Sequence, residues 1–296
     1  MAINKLFVVG AGFMGTGIAQ SAAQNGIDAV AYDISKENLE RSRESLTKTL
    51  DKRVKRNRIS EADKKDILSR VHHTTDLGEC KDADIVVEAV SENQDLKISI
   101  LQDVEKAANP DATLATNTSS ISITTIGSNL KDPSRFIGTH FFSPVPAMPL
   151  VEIVRGLQTG EKAKAVASEL AASLGKQSIH SRDEAGFLIN RMLLPMLNEA
   201  CFLVERRVGS IEEIDEGMKL GLNHPMGPLE LMDMIGIDVE LAVMEVLTSQ
   251  TGDQKYRPAL TLRRMVDAGY LGRKSGVGFY VYHDDGTRSP NVDLLK

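Results

Sequence analysis

Short apolar runs alternate with amphipathic stretches through the first half of the chain, and the alternation stops near residue 184. The short runs predict strands over Leu6–Val9, Asp28–Tyr32, Val71–Thr74, Ile85–Ala89, Thr113–Asn117, Phe136–Phe141 and Val151–Val154. Between them, helical spacing predicts Met14–Asn25, Lys36–Arg56, Glu61–Ser69, Leu96–Ala108 and Ile121–Ser128. Ser35 and Ser60 are placed as N-caps, and Gly26 as a C-terminal stop. A helix over Lys162–Leu174 and a strand near Ser178–His180 close the region. Strands alternating with helices of this length predict βαβ units on a parallel sheet.

After Gly186 the strand signal disappears. Phe187, Leu188, Arg191, Leu194, Leu197, Cys201 and Val204 follow helical spacing, with Pro195 predicting a kink inside the helix. Ser210 and Glu213 form a capping box for a helix over Ile211–Leu220. Pro228 suits the first turn of a third helix, Pro228–Leu247, and Pro258 that of a fourth ending at Gly269. The expected architecture is an α/β domain over 1–184 followed by an all-helical domain over 185–296.

Composition removes several classes. At 296 residues, 42% apolar and 26% charged, the chain has a globular make-up, and no run approaches the length of a transmembrane helix. Cys80 and Cys201 cannot make a disulfide framework, and neither sits in a metal-binding pair. The opening segment has neither a signal-peptide cleavage site nor an Arg-rich transit pattern, so the expected address is the cytoplasm. A net charge of −6 disfavours nucleic acid and anionic membranes as partners. Within that acidic chain, Arg41–Arg58 carries eight basic and two acidic residues, either a solvated helix face or a seat for an anion.

Gly10-Ala11-Gly12-Phe13-Met14-Gly15 is G-x-G-x-x-G between a strand and a helix, which makes the expected first domain, 1–184, a Rossmann-type dinucleotide-binding domain. Gly10 permits the tight turn, Gly12 lets a pyrophosphate approach the backbone, and Gly15 lets helix pack on strand. The helix N-terminus offers free N–H groups to the anion. Asp33 closes the second strand, where a carboxylate accepts from a ribose diol and repels a 2′-phosphate. NAD is therefore expected over NADP, although Lys36 nearby tempers the preference.

An enzyme that oxidises an alcohol with such a cofactor needs a base for the hydroxyl proton. Among six histidines, His140 ends an apolar strand, before a turn holding Pro144, Pro146 and Pro149. The chain returns through Leu150-Val151-Glu152-Ile153-Val154, and a hairpin-like return could set Glu152 against the His140 ring. Glu152 would then fix the tautomer and stabilise the imidazolium. From the residues alone, a core histidine with satisfied hydrogen bonds is the competing reading.

Six segments now carry a resemblance. Val9–Gly15, Asn117-Thr118-Ser119-Ser120, His140-Phe141-Phe142-Ser143-Pro144, Gly186-Phe187-Leu188-Ile189-Asn190-Arg191, Asn223-His224-Pro225-Met226-Gly227-Pro228 and Gly272–Tyr280 resemble, in order, the L-3-hydroxyacyl-CoA dehydrogenases. The length resembles the stand-alone members that act on 3-hydroxybutyryl-CoA rather than the large fused β-oxidation proteins. The resemblance implies hydride transfer between a 3-hydroxyacyl-CoA and the nicotinamide, giving a 3-ketoacyl-CoA, acetoacetyl-CoA for the four-carbon substrate. It implies that His140 is the acid/base, Glu152 its partner, and Ser119 and Asn190 donors to the reacting oxygen. It further implies cofactor contacts from Glu92, Lys97, Asn117, Ser119 and Lys274, and no metal. Ser143 departs from the Asn that many members carry there, and its shorter hydroxyl loses one hydrogen-bonding arm.

With an acyl-CoA substrate, the basic segment gains a ligand: Thr49 and Arg56, with Lys52 and Arg53 beside them, are expected to hold coenzyme A phosphates. Met218, Met226, Met232, Met234 and Met244 add soft apolar surface to the helical domain, suiting either its core or the homodimer that the resemblance implies. A longer-chain 3-hydroxyacyl-CoA dehydrogenase and a non-catalytic NAD-binding protein are the alternative readings.

Overall fold

The computed structural model describes residues 3–295, and the chain separates into two compact units, Met1–Glu184 and Ala185–Lys296. In the first, elements follow in the order β1 (Lys5–Val9), α1 (Phe13–Gln24), β2 (Asp28–Tyr32), α2 (Lys36–Lys55), α3 (Glu61–Ser69) and β3 (Val71–Thr74). Then come β4 (Ile85–Glu88), α4 (Gln94–Ala107), β5 (Thr113–Thr116), α5 (Ile123–Gly127), β6 (Phe136–Phe141), β7 (Leu150–Arg155), α6 (Glu161–Ser173) and β8 (Gln177–Arg182).

The strands form one eight-stranded sheet in the order β3-β2-β1-β4-β5-β6-β7-β8. Neighbours from β3 to β6 are parallel, β7 runs antiparallel to β6, and β8 is parallel to β7. Every residue of β4, β5 and β6 is buried, as helices on both faces require. Helix α1 succeeds through small side chains: Gly15, Gly17, Ala19, Ala22 and Ala23 are all buried, so its backbone lies close to the sheet. The expected Ser caps are present, since Ser35 accepts from the Asn38 N–H and Ser60 forms a full capping box with Asp63.

The second unit holds α7 (Ile189–Glu205), α8 (Ile211–Leu222), α9 (Pro228–Ile235), α10 (Ile237–Thr251) and α11 (Leu260–Asp267), then β9 (Tyr280–Tyr282) and β10 (Arg288–Pro290). Pro195 lies inside α7 without ending it. Two expectations need correction. The single helix over Pro228–Leu247 is two, because Gly236 adopts φ +114° and breaks the backbone between Ile235 and Ile237. The domain is also not wholly helical: β9 and β10 pair antiparallel as a short hairpin.

Buried carboxylates tie that hairpin down. Asp233 accepts from the Phe279 and Tyr280 N–H groups at 2.8 and 2.9 Å and from the Tyr282 hydroxyl at 3.0 Å. Asp215 accepts from the Leu229 N–H and the Tyr280 hydroxyl. The methionines divide: Met232 and Met244 are core, Met218 and Met226 half-buried, and Met234 exposed.

Candidate active site

The glycine turn sits where the sheet order reverses, between β1 and β4, the switch point at which open α/β sheets bind ligands. Gly10 has φ +103°, and a Cβ there would lie 2.8 Å from the Ala89 carbonyl oxygen. A Cβ on Gly15 would fall 1.8 Å from the Gly10 oxygen, so the turn and α1 interlock only without side chains. Gly12 faces open space in a cavity of about 490 Å³, and no side chain caps the α1 N-terminus behind it. Asp33 lines the same cavity. Its carboxylate accepts from the Ala11 N–H at 3.0 Å, the Ser35 N–H at 2.9 Å and the Asn38 amide at 3.2 Å.

A dinucleotide fits this set: N–H groups at an uncapped helix end, a bare backbone where a Cβ would fill the cradle, and a carboxylate held beside it. Ile34, Leu77, Leu96 and Ile100 supply apolar wall for a base. Phe13 and Met14, from the same motif, go elsewhere. Phe13 lines a different cavity and Met14 packs against the core, while Ala11 is buried.

His140 and Glu152 are direct cross-strand partners on β6 and β7. Antiparallel pairing puts two such side chains on one face at close range. His140 Nδ1 lies 3.1 Å from Glu152 Oε2; the imidazole is 6% exposed and the carboxylate fully buried. Phe142 packs on the ring at 4.5 Å between centroids. The turn joining the strands, residues 142–149, is clamped by Lys176, whose Nζ donates to the Val145 and Met148 carbonyls, both at 2.6 Å. The Phe141 N–H donates to Asn117 Oδ1 at 2.9 Å, tying the end of β6 to the turn after β5.

That turn carries Ser119, and Glu92 organises it. Glu92 Oε1 accepts from the Thr118 hydroxyl at 2.5 Å and the Ser119 and Ser120 N–H groups at 3.0 and 3.2 Å; the Ser119 hydroxyl lies 3.4 Å away. Burial pushes the Glu92 carboxyl up, but Lys97 and these donors outweigh it and hold it below the usual range. Lys97 is 1% exposed, donating to Glu88 Oε1 at 2.8 Å with Glu92 Oε2 at 3.3 Å. Glu88 is fully buried at the end of β4 and also accepts from the Val90 N–H and the Thr116 hydroxyl. A buried cation between two carboxylates therefore fixes the Ser119 turn to the glycine-turn side of the sheet.

The basic segment borders a second cavity, of about 560 Å³, also inside the first unit. Thr49, Lys52, Arg53 and Arg56 all line it, with Arg58 added, and Pro144, Val145, Pro146 and Ala147 form a facing wall. None of these four cations has an ion-pair partner among the described residues. The Pro144 end adjoins the strand that carries His140. Among the described residues no group of three His, Cys, Asp or Glu side chains could hold a metal ion, and no helix is long and apolar enough to cross a membrane.

Residues 5–184 match the family model of the 3-hydroxyacyl-CoA dehydrogenase NAD-binding domain, and residues 186–282 that of the C-terminal domain. The chain belongs to the 3-hydroxyacyl-CoA dehydrogenase family. It is 49% identical to a probable 3-hydroxybutyryl-CoA dehydrogenase of Deinococcus radiodurans, over 94% of this chain and all of that one. It is 43% identical to the 3-hydroxybutyryl-CoA dehydrogenase of Bradyrhizobium diazoefficiens, over 95% and 96%. Among solved structures, the (S)-3-hydroxybutyryl-CoA dehydrogenase of Ralstonia eutropha superposes with a TM-score of 0.92 at 48% identity, over 96% of this chain and 100% of that one.

Two residues expected at this 3-hydroxyacyl-CoA dehydrogenase site belong to the second unit. Asn190 lies half-buried on the first turn of α7, and Lys274 pairs with Asp238 at 2.5 Å. Residues that the sequence reading passed over are Glu88, Thr116, Lys176 and Gln20. Glu88 had a signal, a lone charge closing the apolar run Ile85-Val86-Val87. Lys176, just past a helix end, had none.

Proposed function

We propose that the chain interconverts an L-3-hydroxyacyl-CoA, 3-hydroxybutyryl-CoA foremost, and the 3-ketoacyl-CoA, using NAD rather than NADP. The observation that carries this reading is the buried His140–Glu152 pair at the mouth of the sheet. A nicotinamide bound at the glycine turn supplies the hydride acceptor.

This chain's part is the proton. With Nδ1–H donating to Glu152, His140 Nε2 keeps its lone pair and takes the substrate's hydroxyl proton as C3–H leaves with its electron pair. In the reverse direction the imidazolium Nε2–H returns to the alkoxide. Glu152 balances the imidazolium charge throughout, and the Ser119 hydroxyl donates to the same substrate oxygen. The family resemblance adds Asn190 as a second donor and Lys274 as a cofactor contact. Thr49, Lys52, Arg53 and Arg56 hold the coenzyme A phosphates, which the unpaired charges around their cavity favour.

The test is a rate panel with acetoacetyl-CoA, a longer 3-ketoacyl-CoA and free acetoacetate, each with NADH and NADPH. Fastest turnover of acetoacetyl-CoA with NADH is expected. Faster turnover of the longer ester overturns the four-carbon assignment, and preference for free acetoacetate overturns the coenzyme A assignment. We further propose a homodimer through the second unit, favoured by exposed Met192, Val208 and Leu220, to be checked by light scattering. Work in the cytoplasm is consistent with two buried free thiols.

A further inference from the structure

Gln20 is an unexplained group in the second cavity. It lies on α1 one turn after Thr16 and Gly17, all three line that cavity, and Gln20 is only 4% exposed. Among the described residues its amide nitrogen has no hydrogen-bond partner. The neighbouring Thr16 hydroxyl is already engaged, with the Ala11 carbonyl and Ser42 Oγ. A buried polar group without a partner opposes folding, and a methionine of similar shape would fill the position without that cost. A ligand in the cavity accounts for an amide there.

Two kinds of wall meet in this cavity: the cations Arg53, Arg56 and Arg58, and Pro144–Ala147, immediately past the His140 strand. Gly17 packs directly on the second wall, since a Cβ there would lie 3.0 Å from Val145 Cβ, and this close approach brings α1 with Gln20 against the Pro144–Ala147 turn. An acyl-CoA with its phosphates at the cations and its thioester toward His140 runs its pantetheine arm along this cavity, past Gln20. That arm is a chain of methylenes and methyls with two amides, matching an apolar wall and one neutral donor.

We propose that Gln20 is a binding residue for the pantetheine arm, its Nε2–H donating to an amide carbonyl of that arm. The assignment rests on the acyl-CoA reading and adds to it how the chain tells a pantetheine thioester from any other thioester.

The experiment compares the unmodified chain, Gln20→Met and Arg56→Gln on three ketones: acetoacetyl-CoA, acetoacetyl-pantetheine, and the S-ethyl thioester of acetoacetate, which has no amide. Gln20→Met is expected to raise KM about tenfold for the first two, the loss of one hydrogen bond, and to leave KM for the ethyl thioester and for NADH unchanged. Arg56→Gln raises KM for acetoacetyl-CoA only. Gln20→Met should melt at or above the parent temperature; Gln20→Asn, which withdraws the amide by one methylene, carries the same expectation if the first variant fails to fold. An unchanged KM for acetoacetyl-pantetheine overturns the proposal. An equal rise for the ethyl thioester also overturns it, as a packing effect. Failure of the parent chain to reduce any of the three esters instead overturns the acyl-CoA reading itself.

Discussion

Glu152→Gln isolates the charge of the proposed acid–base pair while keeping its shape. Two effects act together. The carboxylate stabilises the imidazolium: opposite charges 3.1 Å apart interact by about 5 kcal/mol at an effective dielectric near 20, of which about 1.5–3 kcal/mol survives as a net charge-assisted hydrogen bond. That surplus is worth roughly 10–150-fold in rate. The second effect concerns the tautomer. A glutamine amide can donate to Nδ1, which moves the imidazole proton to Nε2 and removes the lone pair facing the substrate. Together they predict that kcat falls about 10²–10⁴-fold, the range that positioned proton transfer supplies. Because a buried charge is replaced by a neutral isostere, the fold should hold and the KM for NADH should not move. The assay is NADH consumption with acetoacetyl-CoA, with thermal unfolding as control. A kcat within about threefold of the parent enzyme, at equal stability, would refute the general acid–base role assigned here.

The same structure gives two predictions on stability. Lys97→Met strands the fully buried Glu88 without its cation and should cost about 3–5 kcal/mol in denaturant unfolding, with turnover lost as the Ser119 turn loosens; unchanged stability would deny the buried network its role. Glu240, buried on α10 with Oε2 unpartnered among the described residues, has its carboxyl pushed from 4.5 up to about 7 by burial. A carboxyl raised in the folded state binds its proton there and not in the unfolded chain, so stability falls as pH rises from about 4.5 to about 7 and stays low above that. Glu240→Gln should therefore stabilise the protein by about 1–3 kcal/mol near pH 8 and by little near pH 4.5, and a gain equal at both would contradict the assignment.

What could be read before the fold was known divides on physical lines. Strands β1 to β6 are written locally, as short β-branched runs between helical patterns, and the glycine turn carries its own reason at each glycine. The break at Gly236 was hidden because helical residues flank it and a lone glycine is tolerated inside a helix; only its φ of +114° decides. The terminal hairpin leaves little local trace beyond the turn signal Asp285-Gly286, since its two strands are three residues each and lack alternation. At the site, the His140–Glu152 meeting was legible as a possibility from alternation on the returning strand. Glu92 and Lys97 were visible as residue types, but their joint hold on the Ser119 turn needs α4 folded back on the ends of β4 and β5.

The reversal of strand direction between β6 and β7 explains why the chemistry stands where it does. In the parallel part of the sheet each strand is followed by a crossover, so residues near the end of one strand are distant in sequence from their neighbours and meet them on a slanted ladder. At β6 the chain turns back instead, over residues 142–149, and β7 starts at the end of the sheet where β6 stops. His140, next to last in β6, therefore faces Glu152, third in β7, in direct opposition and at the edge where the glycine turn and the Ser119 turn also lie. A parallel strand in that position would begin at the far edge and bring its first acidic side chain to the wrong end. The proline-rich, lysine-clamped turn thus does two things at once: it sets the register that pairs imidazole with carboxylate, and its outer face forms the wall along which Gln20 awaits a substrate arm.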